Sequence, residues 1–527
     1  MSYARGSQVS VASILETSYR RYAHQPALLR SGATLSYAEL GSRVHRVVSA
    51  LRGLGAVPGD RVAIVSANSP EFIEVSQAVF VGGFIRVTPS SKLHVREVAG
   101  ILEDCRARYL FVGPEWAEAV PQLQATATSV EHVVTLGGSA PGVLAFEELV
   151  AAGESAAPEA LPCAADLCAL LYTAGTTGRP KGAMLTHGNW AAMIRNSMIE
   201  LPPLGVDEVV LHVAPLSHFS GYVEPTYSAR GALHVVEAPF QPEAVIAAIE
   251  RHRITAMPLV PTMLNMLLPA AEAGQHDVSS MRAIVYGGSG IAPDRLARAV
   301  RVFGEVFVQF FGLSETPMPL AALSTRDHRF DPAGPVPMRL ASAGRVNPFV
   351  EVRVRDEQGH DLGPGEVGEI AVRGDVVMAG YWERPEQTAE MLGADGWAAT
   401  GDLGRIDEDG YLFVVDRKRD MIITGGYNVY PTEVENAIAS MPEVQEVAVV
   451  GIPDERWGEA VAAIVVMRDG CIPDTDAVVA VCQERLANYK KPRTVEFVEE
   501  LPKTGSGKIM RRVLRARFWE GHERSVG

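Results

Sequence analysis

The feature that most constrains the fold is an alternation of short apolar runs with amphipathic stretches of helical length. RVAIVS at 61–66 precedes PEFIEVSQAVFVGG, and PEAVIAAIERHRI precedes TAMPLV. Strands that alternate with helices in this way predict βαβ units and largely parallel sheets. From about residue 345 the texture changes, and FVEVRVRDEQGHDLGPGEVGEIAVRG predicts a hairpin. Further on, PTEVENAIASM predicts a helix, EVAVVGIPD and AVAAIVVM predict strands, and a second helix leads to ANYKKP. The expected fold class is α/β: a large N-terminal domain, residues 1–417, of βαβ subdomains plus a β-rich subdomain, then a small α+β C-terminal domain, residues 418–527.

A chain of 527 residues has ample apolar material for this plan. Its 48 basic against 63 acidic side chains argue against a nucleic-acid partner, which calls for a basic face that displaces phosphate counterions. No apolar run reaches the roughly 18 residues of a membrane span, and the N-terminal MSYARGSQVSVASILE has no signal-like apolar stretch, so a cytoplasmic protein is expected. The five cysteines are widely spaced and never form C-x-x-C, which suggests neither a disulfide framework nor a zinc site. Only seven of the 48 basic residues are lysine: Lys92, Lys181, Lys418, Lys490, Lys491, Lys503 and Lys508.

The strongest chemical signal is LLYTAGTTGRPKGAMLTHGNW, Leu170 to Trp190. A strand-like run feeds a segment rich in Gly and Thr with one Lys, followed by a helix that Thr186 would open. Glycines let backbone amides approach an oxyanion, threonines add hydroxyl donors and Lys181 adds charge, a set suited to a polyphosphate. The spacing is not that of a Walker A loop. Two look-alikes carry less. GPGEVG at 363–368 satisfies G-x-G-x-x-G but has strand-like runs on both sides and no following helix, so it predicts a hairpin loop. DEDG at 407–410 resembles the start of a calcium loop, but Lys418 stands where the closing Glu belongs, so it predicts a turn.

YTAGTTGRPKG, VQFFGLSET at 308–316, TGDL at 400–403, VVDRKRDMIITGGYNVYPTEVE at 414–435 and PKTGSGK at 502–508 share the order and spacing of motifs in adenylate-forming enzymes. The chain thus resembles the superfamily of acyl- and aryl-CoA ligases, peptide-synthetase adenylation domains and beetle luciferases, from LSYAEL at 35–40 through Lys508.

The resemblance implies attack of a substrate carboxylate on the α-phosphorus of ATP, giving an acyl-adenylate and pyrophosphate. It implies that Thr173, Gly175, Thr176, Thr177, Gly178 and Lys181 hold the departing phosphates. Glu315, with Thr176, would hold Mg²⁺, and Ser314 would reach the α-phosphate. Adenine would lie between Gly288, Ser289, Gly290 and the Phe311–Gly312 segment, where the family commonly has Tyr at the position of Phe311. Asp402 would grip the ribose, with Arg417 assisting from the other side. Lys508 would swing in with a mobile C-terminal domain to bridge carboxylate and phosphate, pivoting at Arg419. The same rotation would bring Gly425 and Gly426 to an acceptor channel, their missing side chains leaving room for a pantetheine arm.

By the same resemblance His218 guards the carboxylate, and Phe219 stands where amino-acid-activating relatives place an Asp. Phe219, Tyr222, Val260, Gly287, Phe310, Pro317 and Met318 would line the acid pocket, implying a hydrophobic aryl, alicyclic or medium acyl acid. The expected acceptor is CoA, with Lys490, Lys491 and Arg493 as candidates for its phosphates; an amine, giving an amide, or a separate carrier protein is the alternative. The expected partners are these small molecules, and the expected assembly is a monomer or homodimer.

Overall fold

The structure is a computed structural model, and it describes residues 9–138, 143–173, 180–274, 276–331, 333–425, 427–454, 456–504 and 508–520. Two large sheets dominate the first 350 residues. One has eight strands in the order 380–381, 181–186, 167–173, 85–87, 61–65, 109–112, 132–135 and 144–145, parallel from 167–173 outward. The other has nine, in the order 345–346, 321–323, 307–311, 283–287, 256–259, 209–212, 233–236, 26–30 and 33–36, parallel through its centre and antiparallel at both edges.

The helices follow from their end signals. Pro70–Gly82 starts at Ser69, whose hydroxyl accepts from the Phe72 amide, and stops at Gly83 with φ 74°, a left-handed conformation that glycine adopts without Cβ strain. It is buried on every face, packed against Val11–Arg21 and Tyr37–Gly53, so that even its polar Glu74 and Gln77 lie in the interior. His187–Glu200 opens at Thr186 through reciprocal bonds with Asn189, and its Trp190 is fully buried 4.9 Å from Phe80.

After residue 345 the parallel plan ends. Strands 350–355, 368–374, 398–406 and 412–417 form an antiparallel sheet, and GPGEVG is indeed the loop of its first hairpin. DEDG is a turn closed by the Gly410 amide on the Asp407 carbonyl. The chain then passes into a separate sheet of 427–429, 422–424, 458–467 and 444–454, extended by 494–497 and backed by helices Pro431–Ala439 and Thr475–Arg485. All five cysteines are free, and Cys105, Cys168 and Cys482 are core residues. Among the described residues no helix is long and apolar enough to cross a membrane.

Candidate active site

The Gly/Thr-rich segment is not followed directly by a helix. Lys181–Thr186 returns as a strand antiparallel to Leu167–Thr173, with Thr173 opposite Lys181, and the helix comes after it. The two described strands thus pair as a hairpin on the flank of a parallel sheet, and Lys181 stands at its open end opposite Thr173. Gly175, Thr176, Thr177 and Gly178 lie outside the described residues. The Lys181 ammonium stands 5.2 Å over the Tyr381 ring, because the short strand Gly380–Tyr381 pairs with the returning strand.

Tyr381 is a residue the sequence reading missed. Its hydroxyl donates to Glu315 Oε1 at 2.8 Å, and Thr173 Oγ1 donates to the same oxygen at 3.4 Å. Two donors on Oε1 orient the carboxylate and leave Oε2 as the oxygen for a cation. No cluster of three or more His, Cys, Asp or Glu that could hold a metal exists among the described residues. One oriented carboxylate beside hydroxyl groups suits Mg²⁺, which keeps waters and shares substrate phosphates as ligands.

Asp402 and Arg417 are cross-strand neighbours in the four-stranded sheet, joined by a 3.0 Å salt bridge. Burial raises the Asp402 carboxyl above its ordinary value and Arg417 opposes the rise. Gly287 and Phe310 face each other on adjacent parallel strands, so the exposed Gly288, Ser289 and Gly290 and the half-buried Phe311 and Gly312 emerge together at one sheet end. Ser314 is also half-buried there.

Lys508 reaches this place from the far end of the chain. Its Cε lies 3.9 Å from where a Cβ on Gly288 would be. Lys508 is exposed as a residue, yet burial of its ammonium end holds it below the usual lysine value; Arg417 adds to this, while Asp402 and Glu315 oppose it. Lys508, Asp402, Arg417 and Glu315 thus share one electrostatic neighbourhood.

His218 belongs to it too. It precedes helix Phe219–Ser228, bonds Ser217 Oγ through Nδ1 at 2.8 Å, and is pushed down to about 4 by burial, with Lys508 and Arg86 contributing. It is neutral at physiological pH. Phe219, Phe310 and Met318 are buried in one apolar cluster, with Tyr222 at its edge. A Cβ on Gly287 would come within 2.4 Å of the Phe310 carbonyl and 2.8 Å of the Phe219 ring, so only glycine fits. Val260 is half-buried at the head of helix Pro261–Glu272, and Pro317 is buried. Behind Tyr222 lies Arg86, 1% exposed, donating to the Leu216 carbonyl at 2.8 Å and lying over the rings of Phe72 and Trp190. A lone arginine in the run FIRV offered no sequence signal.

Gly425 has φ 58°, a Cβ there would fall 2.5 Å from the Trp457 ring, and the Gly425 amide donates to the Trp457 carbonyl. Gly426 lies outside the described residues. Around this point Arg456 and Arg493 lie over Trp457 at 4.8 and 5.4 Å, and the exposed Tyr427 and Tyr489 stack at 4.8 Å. Lys490 is tied to Glu433 at 2.6 Å. Arg419 sits in the turn between the last strand of the four-stranded sheet and strand 422–424.

Comparison with known proteins agrees with this geometry. The profile of the AMP-binding enzyme family matches residues 15–382, and that of the AMP-binding enzyme C-terminal domain matches 433–508. A feruloyl-CoA synthase of an Amycolatopsis species is 41% identical over 498 residues, 94% of this chain and 96% of that protein. The amide bond synthetase McbA of Marinactinospora thermotolerans superposes with a TM-score of 0.86 at 33% identity, covering 96% of this chain and 100% of its own. The anthranilate CoA ligase AuaEII, solved with anthranoyl-AMP, superposes with a TM-score of 0.88 at 27% identity over 97% of each chain. The protein belongs to the AMP-binding enzyme family, within the superfamily of adenylate-forming enzymes. It is an AMP-forming carboxylic acid ligase.

Proposed function

We propose that this ligase activates a hydrophobic aryl carboxylic acid with ATP and Mg²⁺ and transfers the acyl group to CoA. The observation that carries the acid class is the wall formed by Phe219, Phe310 and Met318, closed down on Gly287 and edged by Tyr222. These side chains favour a flat apolar ring and offer no charged anchor for a substrate ammonium.

In the first half-reaction a carboxylate oxygen bonds the α-phosphorus while the bond from that phosphorus to the α,β-bridging oxygen breaks and pyrophosphate departs. Two anions meet, so preorganised cations contribute most. Lys508 neutralises charge between carboxylate and α-phosphate, and Lys181, with Thr173 and the Gly175, Thr176, Thr177 and Gly178 tip, takes the departing phosphates. Glu315, oriented by Tyr381 and Thr173, would hold Mg²⁺ with Thr176, and Ser314 would bond the α-phosphate. The metal supplies Lewis-acid charge stabilisation when bound. Asp402 and Arg417 bind the ribose as a pair, and Phe311 stacks on adenine against Gly288, Ser289 and Gly290. His218, neutral, donates or accepts at the carboxylate edge without adding charge.

In the second half-reaction the CoA sulfur bonds the acyl carbon, the thiol proton leaves, and AMP departs. The division of the chain at 417/418 with a pivot at Arg419 lets the C-terminal domain present Gly425 and Gly426 to the adenylate. The patch of Trp457, Arg456, Arg493, Tyr427 and Tyr489 suits a nucleotide carrying phosphates, through ring stacking and cation contacts. Pyrophosphate release across a panel of aryl, alicyclic and medium-chain acids, followed by mass detection with CoA or amines present, tests the reading. Aryl-dependent release and a CoA thioester are expected. Amide formation with CoA left unused overturns the acceptor, and the likeness to an amide bond synthetase makes that arm essential.

A further inference from the structure

The segment bearing Lys508 continues into a helix whose first residue makes contacts that the reaction scheme above leaves unused. The Thr504 amide donates to the Lys508 carbonyl at 2.7 Å, the Lys508 amide to Thr504 Oγ1 at 3.1 Å, and Lys503 bridges Ile509 across the same small loop. Helix Arg511–Ala516 follows at once. Arg511 forks onto Glu435 of helix Pro431–Ala439, Nε to Oε1 at 3.0 Å and Nη2 to Oε2 at 2.6 Å. Its remaining nitrogen, Nη1, lies 3.8 Å from Asp416 and 3.7 Å from Asp420, ion-pair distances without a direct hydrogen bond.

Asp416 is the informative partner. It is 4% exposed and lies in the strand ending at Arg417, opposite Leu403 in the sheet that carries Asp402. One oxygen accepts the Arg417 amide at 2.7 Å, and the other accepts the Thr432 amide at 2.8 Å. Glu435, Thr432 and Arg511 all follow the pivot at Arg419, whereas Asp416 precedes it. The node, three residues from Lys508, therefore ties the small domain to the strand that carries Arg417, one member of the ribose pair. A rotation about Arg419 would separate Asp416 from both Thr432 and Arg511.

We propose that Arg511 is a positioning residue for the adenylate-forming step: through Asp416 it holds Lys508 in register with Asp402 and Arg417, and it is released for acyl transfer. The bidentate fork on Glu435 fixes the guanidinium to the small domain, so its free end acts as a rigid strut that a flexible ammonium would not replace. In this orientation the buried Asp416 holds two amides and one cation, and of these the Thr432 amide and the Arg511 guanidinium come from beyond the pivot.

This inference rests on the two-step ligase reading, and the experiment separates their failures. Acid-dependent adenylate formation in a single turnover, and transfer from supplied acyl-adenylate to CoA, are measured for wild type, R511Q, R511K and D416N, with a thermal melt for each. R511Q is expected to slow adenylate formation at least tenfold with threefold or smaller changes in the KM values for ATP and acid, while transfer stays within twofold. R511K is expected to recover only part of the loss. D416N attacks the node from the other side of the pivot and is expected to reproduce the effect in a protein that melts near wild type. Equal loss of both half-reactions in R511Q and D416N, or no loss in either, overturns the positioning role. Failure of wild type itself to form adenylate from any acid overturns the ligase reading, and the proposal with it.

Discussion

Two hydroxyl groups on one oxygen of Glu315 orient its carboxylate, which leaves the other oxygen for the metal in the proposed reaction. Tyr381 lies 66 positions along the chain from Glu315 and sits in a short edge strand, so nothing local in GYW marks it. Lys181 and Lys508 were legible because each stands in a glycine-flanked motif and lysine is scarce. Tyr381 and Arg86 were not, because their roles come from strand pairing and burial. Tyr381→Phe should lower acid-dependent pyrophosphate release roughly tenfold, the order of one lost hydrogen bond of about 1–1.5 kcal/mol, and raise the Mg²⁺ concentration for half-maximal rate. A magnesium titration checks this; an unchanged midpoint would count against the orienting role. Gly312 offers a second test, because a Cβ there would meet the Met318 backbone at 2.6 Å, where nothing flexible can yield. Gly312→Ala should cost about 1–3 kcal/mol and lower the melting temperature, since overpacking against backbone forces the 312–318 turn apart.

At the scale of elements, the alternation of apolar runs and amphipathic stretches foretold the parallel sheets, the hairpin around GPGEVG and the α+β texture near the C-terminus. The strand Lys181–Thr186 escaped because a helix cap, Thr186, ends it and drew the reading toward a strand–loop–helix unit. The consequence is mechanical. A loop leading into a helix borrows the helix terminus for its ligand, whereas a hairpin tip holds a ligand only through its own amides and side chains. Replacing Lys181 should therefore be felt strongly: Lys181→Ala is expected to raise the KM for ATP and lower kcat together by at least tenfold. Steady-state kinetics at varied ATP checks this, and an effect on neither constant would place the phosphates elsewhere. The pairing of Asp402 with Arg417 was likewise hidden, because residues 15 apart become neighbours only through the register of an antiparallel pair.

Across the whole molecule, burial neutralises histidines. His187, His218 and His328 are pushed down to about 4 and His234 to about 3, chiefly by loss of water. Unfolding returns each to a value near 6.5, so the unfolded chain binds protons the native one refuses. Their contribution is complete above about pH 6.5 and is lost as the pH falls toward 4, on the order of 1.4 kcal/mol per unit for each group. Asp416, raised to about 6 by burial, and Glu224, also raised by burial, act in the opposite sense and flatten the curve. The melting temperature should fall between pH 6.5 and 5, and less steeply in His328→Gln; a melting temperature that rises over that interval would contradict the assignment. Joining an acid to ATP requires distant segments, Lys508 above all, to meet Asp402, Arg417 and Glu315 in one cleft. The most direct measurement compares wild type with Lys508→Ala in the two half-reactions separately. Adenylate formation should fall by about 10²-fold or more while transfer from supplied acyl-adenylate to CoA persists; equal loss of both, or none, would contradict it.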